Sequence, residues 1–321
     1  MTDDFSKNKI LFVPGKNPKP LPDAHRALLW RCLLRGVQLV DPAAARSLAA
    51  TPECFRLVAW NSLFYGQAKE VDADMPWIDA LCQKTGADGA DVREALSWRR
   101  RRARWLYLVA DHLRFLIPLL PDPAVKSTIR EAARYFQNHD GIAGQVRELL
   151  KAPLRRLFAD GDRVLLIGHS MGSIIAYDAL WELSHVEHNP GRVDLFLTLG
   201  SPLGMHYVQN QLLGFRRRDD QRFPRNVRRW VNVAAHGDLT ALDPEIGRHF
   251  REMVEQQAIE LIDDRHHGVF NGFRNERGLN AHRSYGYLVE PHVARAVAGW
   301  WQGNGAADAI RSPLAARRGM A

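Results

Sequence analysis

Arg163-Val-Leu-Leu-Ile-Gly-His-Ser-Met-Gly-Ser-Ile-Ile-Ala-Tyr-Asp-Ala-Leu180 is the stretch on which the reading of the whole chain turns. Val164 to Ile167 is an uninterrupted apolar run with a β-branched residue at each end and glycine behind it, the pattern of a strand buried on both faces. From Ser173 to Leu180, the residues Ile174, Ile175, Ala179 and Leu180 keep helical spacing. Between strand and helix stands Gly168-x-Ser170-x-Gly172. A serine on so sharp a strand-to-helix turn projects its Oγ clear of the sheet. Side chains two positions either way would collide with neighbouring backbone, which is why glycine is needed there. The helix that follows aims its first N–H groups, that of Met171 foremost, at negative charge developing beside the serine. The competing reading is an ordinary turn with an inert serine, so the remaining sequence is searched for the serine's partners.

The 321 residues leave room for a sizeable core. The expected organisation is a single α/β domain over residues 1–302, with a mostly parallel sheet flanked by helices. A helical cap is inserted at about 67–125, and an Ala-, Gly- and Arg-rich tail over 303–321 is expected to be disordered. Cys32, Cys54 and Cys82 form no Cys-x-x-Cys pair, so neither a disulfide framework nor a zinc knuckle is expected, and a reducing compartment fits. The opening Met-Thr-Asp-Asp-Phe-Ser-Lys has no basic and apolar leader regions, and no stretch reaches ~18 uncharged apolar residues. A cytoplasmic location, with room for peripheral membrane contact, is the expectation. The net charge of +8 suits an anionic membrane or acidic substrates. No nucleic-acid module is visible, so nucleic acid is not expected as a partner.

Lys9 to Val13 reads as the first strand, running into Pro14-Gly15-Lys16-Asn-Pro-Lys-Pro20. Proline removes the donors that a helix or strand would need there. A glycine loop after a strand ahead of the serine is where a second oxyanion donor is expected, and the backbone N–H of Lys16 is the candidate. The phosphate-loop alternative fails, because Asn17 stands where Ser or Thr would follow Gly-Lys. Asp23 to Gly36 reads as a helix and Glu53 to Trp60 as a strand, giving strand, helix, strand and hence a parallel sheet.

In the insertion, Asp91-x-x-Glu94 resembles a capping-box start for a helix running through Trp98-Arg-Arg-Arg-Arg-Ala-Arg-Trp105 to about Ile117. Leu106, Val109, Leu113 and Ile117 make one apolar stripe, and Trp105, Leu108 and Phe115 a second face. Two readings stay open: a cap packed over the site with solvated arginines, or contact with an anionic membrane surface through Arg99–Arg104. Residues 127–138 and 141–158 read as further helices, the second carrying Pro153 and closed by Gly161. Arg192–Leu199 and Arg229–Ala234 read as strands, residues 214–229 largely as an exposed loop, Val269–Phe273 as a last strand and 291–301 as a closing helix.

A serine nucleophile needs a base, and the base needs an acid to fix its tautomer. In elbow enzymes these follow in the order Ser, acid, His, at the C-terminal ends of strands. Asp238, just past the strand 229–234, is the first candidate acid and Asp243 the second. Asp238 alternatively stabilises only its turn. Among thirteen histidines, His282 lies after the acid and after the last expected strand. His266 and His267 precede that strand, His292 opens the closing helix, and His236 stands upstream of the acid. His169 is expected to be a packed or hydrogen-bonded neighbour. No His-Glu-x-x-His or three-histidine spacing suggests a metal, and no cofactor is implied.

Val164-Leu-Leu-Ile-Gly-His-Ser-Met-Gly-Ser173 resembles the elbow of α/β-hydrolase-fold serine esterases and lipases. Thr198-Leu-Gly-Ser-Pro-Leu203 is similar to the segment after the next strand in lipase-like relatives, including the lecithin:cholesterol acyltransferase and GPI-inositol-deacylase-like groups. Trp230-Val-Asn-Val through Asp238 resembles their acid-bearing strand end, with Leu239-Thr240 where Pro-Val is usual. His282 with Tyr285-Gly-Tyr-Leu288 resembles their His-x-x-Tyr-x-Tyr-Leu ending. Pro14-Gly15 stands where the family has His-Gly. The resemblance implies the α/β-hydrolase fold and ester hydrolysis through an acyl-enzyme, on a small-molecule or lipid ester. Ser170, His282 and Asp238 would form the triad, with the Met171 and Lys16 N–H groups as oxyanion donors. The alternatives are acyl transfer by the same triad and a non-catalytic peripheral membrane or binding protein.

Overall fold

The apolar runs become strands because their alternate side chains have two helical layers to bury in. A computed structural model describes residues 5–71, 74–112, 131–264 and 268–303. Its strands are β1 (Asn8–Val13), β2 (Phe55–Leu57), β3 (Arg163–His169), β4 (Val193–Leu199), β5 (Val227–Val233) and β6 (Leu261–Asp263). They form one sheet in the order β2-β1-β3-β4-β5-β6, and every neighbouring pair is parallel. The principal helices are α1 (Pro22–Val40), α2 (Pro42–Ala49), α3 (Trp60–Tyr65), α4 (Met75–Gln83), α5 (Gly89–Ala95) and α6 (Trp98–His112). After these come α7 (Ile142–Ala159), α8 (Met171–His185), α9 (Ser284–Val289) and α10 (Pro291–Trp301).

The strand side chains divide by parity. Ile10, Phe12, Leu165, Ile167, Leu195, Leu197, Val231 and Val233 pack with α1, α2, α4, α9 and α10. Leu11, Val13, Val164, Leu166, Val193, Phe196 and Trp230 pack on the other face with α3, α7 and α8. The register is thereby fixed, since a one-residue slip would exchange the two sets. The chain turns back between β1 and β3, so the crevice past their C-terminal ends is the topological switch point where open α/β sheets bind ligands. The loop beginning at Pro14 and the turn at Ser170 both open into that crevice.

Several expectations are corrected. The strand expected over Glu53–Trp60 is only Phe55–Leu57, and Trp60 instead begins α3. Val269–Phe273 is not a strand: Val269 and Phe273 are apolar because they are buried in the core beneath α9, and the last sheet position is taken by β6. The helix expected to start at Asp91 starts at Gly89, capped by Asp88, with Asp91 as the reciprocal member of the capping box. It ends at Ala95, and α6 is separate.

On α6 Tyr107 is buried against Leu242 and Asp111 is buried as well, while Leu106 of the expected stripe is exposed. Leu113, Phe115 and Ile117, the start of the 127–138 helix, His266, His267 and nearly all of the tail lie outside the described residues. The segment 214–229 is not simply exposed. Phe223 is fully buried and β5 already begins at Val227. Within the region read as an insertion, Ile78 and Leu81 of α4 belong to the main core. Among the described residues, no helix is long and apolar enough to cross a membrane.

Candidate active site

β3 delivers Ser170 directly into α8. Ser170 has φ 53° and ψ −125°, a backbone conformation that a residue with a Cβ adopts only when its surroundings impose it. The surroundings here are the paired elements themselves: Ser170 N–H donates to Leu199 O at 3.0 Å, and Ser173 Oγ donates back to Ser170 O at 2.6 Å. A methyl group on Gly172 would lie 2.1 Å from Val13 O, and one on Gly168 2.8 Å from Ser173 Cα, so the elbow closes only with glycine at both.

The loop after β5 and the loop before α9 converge on this serine. His282 Nε2 lies 2.9 Å from Ser170 Oγ, and His282 Nδ1 lies 2.9 Å from Asp238 Oδ2. Asp238 Oδ2 also accepts from Tyr287 OH at 2.7 Å, and its Oδ1 from Thr240 N–H at 2.8 Å. Burial by itself would raise the Asp238 carboxyl. The facing His282, together with the hydrogen bonds from His282, Tyr287 and Thr240, outweighs it and holds the pKa below the ordinary value. Asp238 is therefore a buried, ionised acceptor that keeps the proton on Nδ1 of His282 and leaves Nε2 facing the serine.

His169, next to Ser170, supports this arrangement. Its Nε2 is 2.8 Å from the His282 carbonyl oxygen, and the two rings lie 4.8 Å apart. Burial, then the neighbouring His282 and Lys19, drive its pKa well down, so it is neutral and donates Nε2–H to that carbonyl. Among the other candidates, Asp243 bonds Arg248 at 2.7 Å and His249 at 2.8 Å. His292 bonds Glu290 at 2.8 Å, and the His236 ring lies 4.8 Å from that of Phe270 at a tilt of 36°. The structure thus brings together Ser170, His282 and Asp238, and places Asp243, His236 and His292 in other local contacts.

Of the two expected oxyanion donors, Met171 directly follows the serine, and the loop that carries Lys16 passes beside it. Met171 is the first residue of α8. The Pro14–Asn17 loop passes so close that a methyl group on Gly15 would lie 2.9 Å from Ser170 Cβ. This loop is pinned by residues that the sequence reading missed. Trp60 Nε1 donates to Pro14 O at 2.7 Å, and Asn61 Nδ2 donates to Gly15 O at 2.9 Å and Asn17 O at 3.0 Å. Tyr65 OH accepts from Asn17 N–H at 2.9 Å. The available signal was positional: Trp60 and Asn61 follow a strand that pairs with β1, so they reach the same sheet edge.

Gly200 was also missed as a site residue. Its φ is +53°, and a methyl group there would sit 2.6 Å from Asp238 Oδ2 and 3.1 Å from His282 Nδ1, so only glycine lets the acid and base meet. Two arginines of α6, read as solvated, instead brace the triad loops. Arg100 donates to Gly237 O at 3.0 Å and to Leu279 O at 2.6 Å, and Arg104 donates to Leu242 O at 2.9 Å. Between α6 and the segments after β4 and β5 lies a groove of about 600 Å³, lined by Trp105, Leu108, Gly204, His206 and His249 among others.

Comparison of the chain with models of known protein families, with curated proteins and with solved structures finds no match.

Proposed function

We propose that this chain is a serine hydrolase on the α/β-hydrolase scaffold, cleaving carboxylic esters through an acyl-enzyme. The observation that carries the reading is the line Ser170 Oγ, His282 Nε2, His282 Nδ1, Asp238 Oδ2, with 2.9 Å at each contact between residues and the serine on a positive-φ turn. On this reading Ser170 Oγ attacks the ester carbonyl as His282 Nε2 takes its proton. The Met171 and Lys16 N–H groups hold the oxyanion, each such donor lowering the barrier by about 3 kcal/mol. His282 then protonates the departing alcohol, and water repeats the sequence to release the acid.

Labelling with a fluorophosphonate probe tests this. Wild type is expected to label, and Ser170→Ala and His282→Ala are expected not to. Labelling that persists in Ser170→Ala, or a folded wild type that never labels, overturns the reading.

A membrane-proximal ester is the substrate setting that α6 favours. Trp98, Trp105 and Leu106 are exposed beside the exposed Arg99, Arg101 and Arg102, an arrangement suited to an anionic lipid interface. Replacing those three arginines with alanine is expected to reduce binding to phosphatidylglycerol vesicles. Unchanged binding removes the membrane contact from the reading.

A further inference from the structure

Beside the triad lies a set of charges that the hydrolytic chemistry does not use. Arg283 directly follows His282, and its guanidinium bonds Asp74. Lys69 Nζ lies 2.9 Å from both oxygens of the same carboxylate. Lys19, on the loop that carries Lys16, donates its ammonium to Lys16 O at 2.6 Å, and its own carbonyl accepts from Lys69 N–H at 2.9 Å. Two cations from separate segments, Lys69 and Arg283, therefore share one carboxylate, and Lys19, from a third segment, stands within electrostatic reach of all three groups. Arg283 Nε is buried without a hydrogen-bond partner.

Such a cluster is electrostatically unsatisfied. Burial, then repulsion from Arg283 and Lys69, pushes the Lys19 ammonium down to about 7, although Asp74 acts the other way. The same positive field is felt on both sides. Lys19 and Arg283 add to the burial that lowers His25 to about 3, and they contribute to the lowering of His169 beneath the triad. An oxyanion seated among these groups would add negative charge to a cluster of three cations and one carboxylate, and would offer an acceptor to Arg283 Nε. The cluster is within reach of solvent: Lys69 is 37% exposed and Arg283 26%. It also borders the reaction centre at two points, one residue beyond His282 and, through Lys16, one residue beyond Gly15.

We propose that Lys19, Lys69 and Arg283 form a subsite for an anionic oxygen group, carboxylate or phosphate, carried by the ester substrate. This rests on the hydrolase reading of Ser170. The substrate class is then an anionic ester, whose charged end is anchored beside the oxyanion loop while its carbonyl meets the serine.

The test compares kcat/KM for 4-nitrophenyl butyrate, which is neutral, with 4-nitrophenyl hydrogen glutarate, which ends in a carboxylate. Inorganic phosphate serves as an inhibitor in a second arm. Wild type is expected to favour the glutarate ester, and Lys69→Met or Lys19→Met to reduce that preference about tenfold, the scale of one charge-assisted contact. Phosphate inhibition is expected to weaken in the same variants. Inhibition that depends on Lys69 without a preference for the glutarate ester assigns the subsite to phosphate. A preference and an inhibition constant identical in wild type and both variants overturn the proposal, and fluorophosphonate labelling of Ser170 in those proteins shows that the hydrolase reading survives. If Ser170 never labels, that reading fails instead. The anion site is then judged by the rise in Tm with phosphate: a rise lost in Lys69→Met supports it, and the same response in both proteins overturns it.

Discussion

Asp238, in the loop after β5, and Asp178, in the middle of α8, are both carboxylates sealed inside the molecule, yet their surroundings drive them in opposite directions. Asp238 is held below the ordinary carboxyl value because His282, Tyr287 and Thr240 offset its burial. Asp178 is pushed up to about 7, burial outweighing the Leu213 N–H, Arg147 and Tyr135 that favour its charge. Its partners tie the body together: Leu213 N–H donates to Oδ1 at 3.0 Å and Tyr135 OH to Oδ2 at 3.0 Å. Burial alone does not mark a catalytic carboxylate. What marks Asp238 is that its strongest partner is an imidazole whose other nitrogen faces the Ser170 hydroxyl.

Exchanging each carboxylate for its amide should separate the two. Asp238→Asn removes the acceptor that fixes the His282 tautomer and is expected to lower kcat about ten-thousand-fold, with the fold retained. Asp178→Asn is expected to leave kcat within about threefold, since substitution away from the reacting groups removes no transition-state contact. Steady-state hydrolysis of a 4-nitrophenyl ester reads both. Equal losses in the two variants would break the distinction.

The second difference lies in stability against pH. A carboxyl whose folded pKa is raised binds its proton in the native state over a range in which the unfolded chain has released it. Between about pH 4 and 7 Asp178 therefore costs stability as pH rises, and above 7 the cost is constant. The full span is on the order of a few kcal/mol, from about 1.4 kcal/mol per unit. Asp238 has the opposite sign: its contribution is complete above the unfolded carboxyl value and is lost only as acid titrates the folded group. Urea unfolding at pH 5 and pH 8 is expected to show Asp178→Asn gaining on wild type at the higher pH. A stability gap independent of pH would mean that Asp178 is ionised in the native state throughout.

Tyr287 gives a smaller effect on the same contrast, because its hydroxyl serves Asp238 and the backbone together. It donates to Asp238 Oδ2 at 2.7 Å and accepts from Ala235 N–H at 2.9 Å. Tyr287→Phe leaves a buried N–H without its partner, at a cost of about 1–3 kcal/mol in stability. One lost hydrogen bond to the charged carboxylate is expected to lower kcat/KM about tenfold. Thermal unfolding and hydrolysis rates measured on one preparation check both.

The parts legible in the sequence were those governed by local pattern. β1, β3, β4 and β5 are apolar runs within one or two residues of their observed limits, and the elbow follows from the spacing of Gly168, Ser170 and Gly172. Chain order narrowed the acid and base to Asp238 and His282, the pair that meets Ser170.

The errors came where an apolar or capping signal had more than one cause. Val269 and Phe273 are apolar for the core and not for a ladder, whereas Leu261–Asp263 is a short edge strand with no buried side chain to announce it. Asp88 and Asp91 form one capping box, and reading Asp91 as its start misplaced the helix. Tyr107 is buried because Leu242 faces it from a distant loop, which no periodicity within α6 could reveal. The pinning of the Pro14–Asn17 loop by Trp60, Asn61 and Tyr65 depends on β2 lying beside β1, a fact of topology.

The smallest effect concerns how the two carboxylates are supported from outside. Asp178 is held within the body by α8 and its neighbours, but the Asp238 loop is braced in part by α6. Arg100 donates to Gly237 O, the residue before Asp238, and to Leu279 O, three residues before His282. One guanidinium thus fixes the spacing between the acid's loop and the base's loop. Because Arg100 is only half-buried and bonds carbonyls, not the reacting groups, its loss is expected to cost about 1 kcal/mol of stability and a few-fold in kcat/KM. Arg101, exposed on the same helix, is the control, and Arg101→Met should change neither. If Arg100→Met and Arg101→Met behave alike, α6 is not part of the brace, and the separation of Asp238 and His282 is set by Gly200, Tyr287 and the sheet alone.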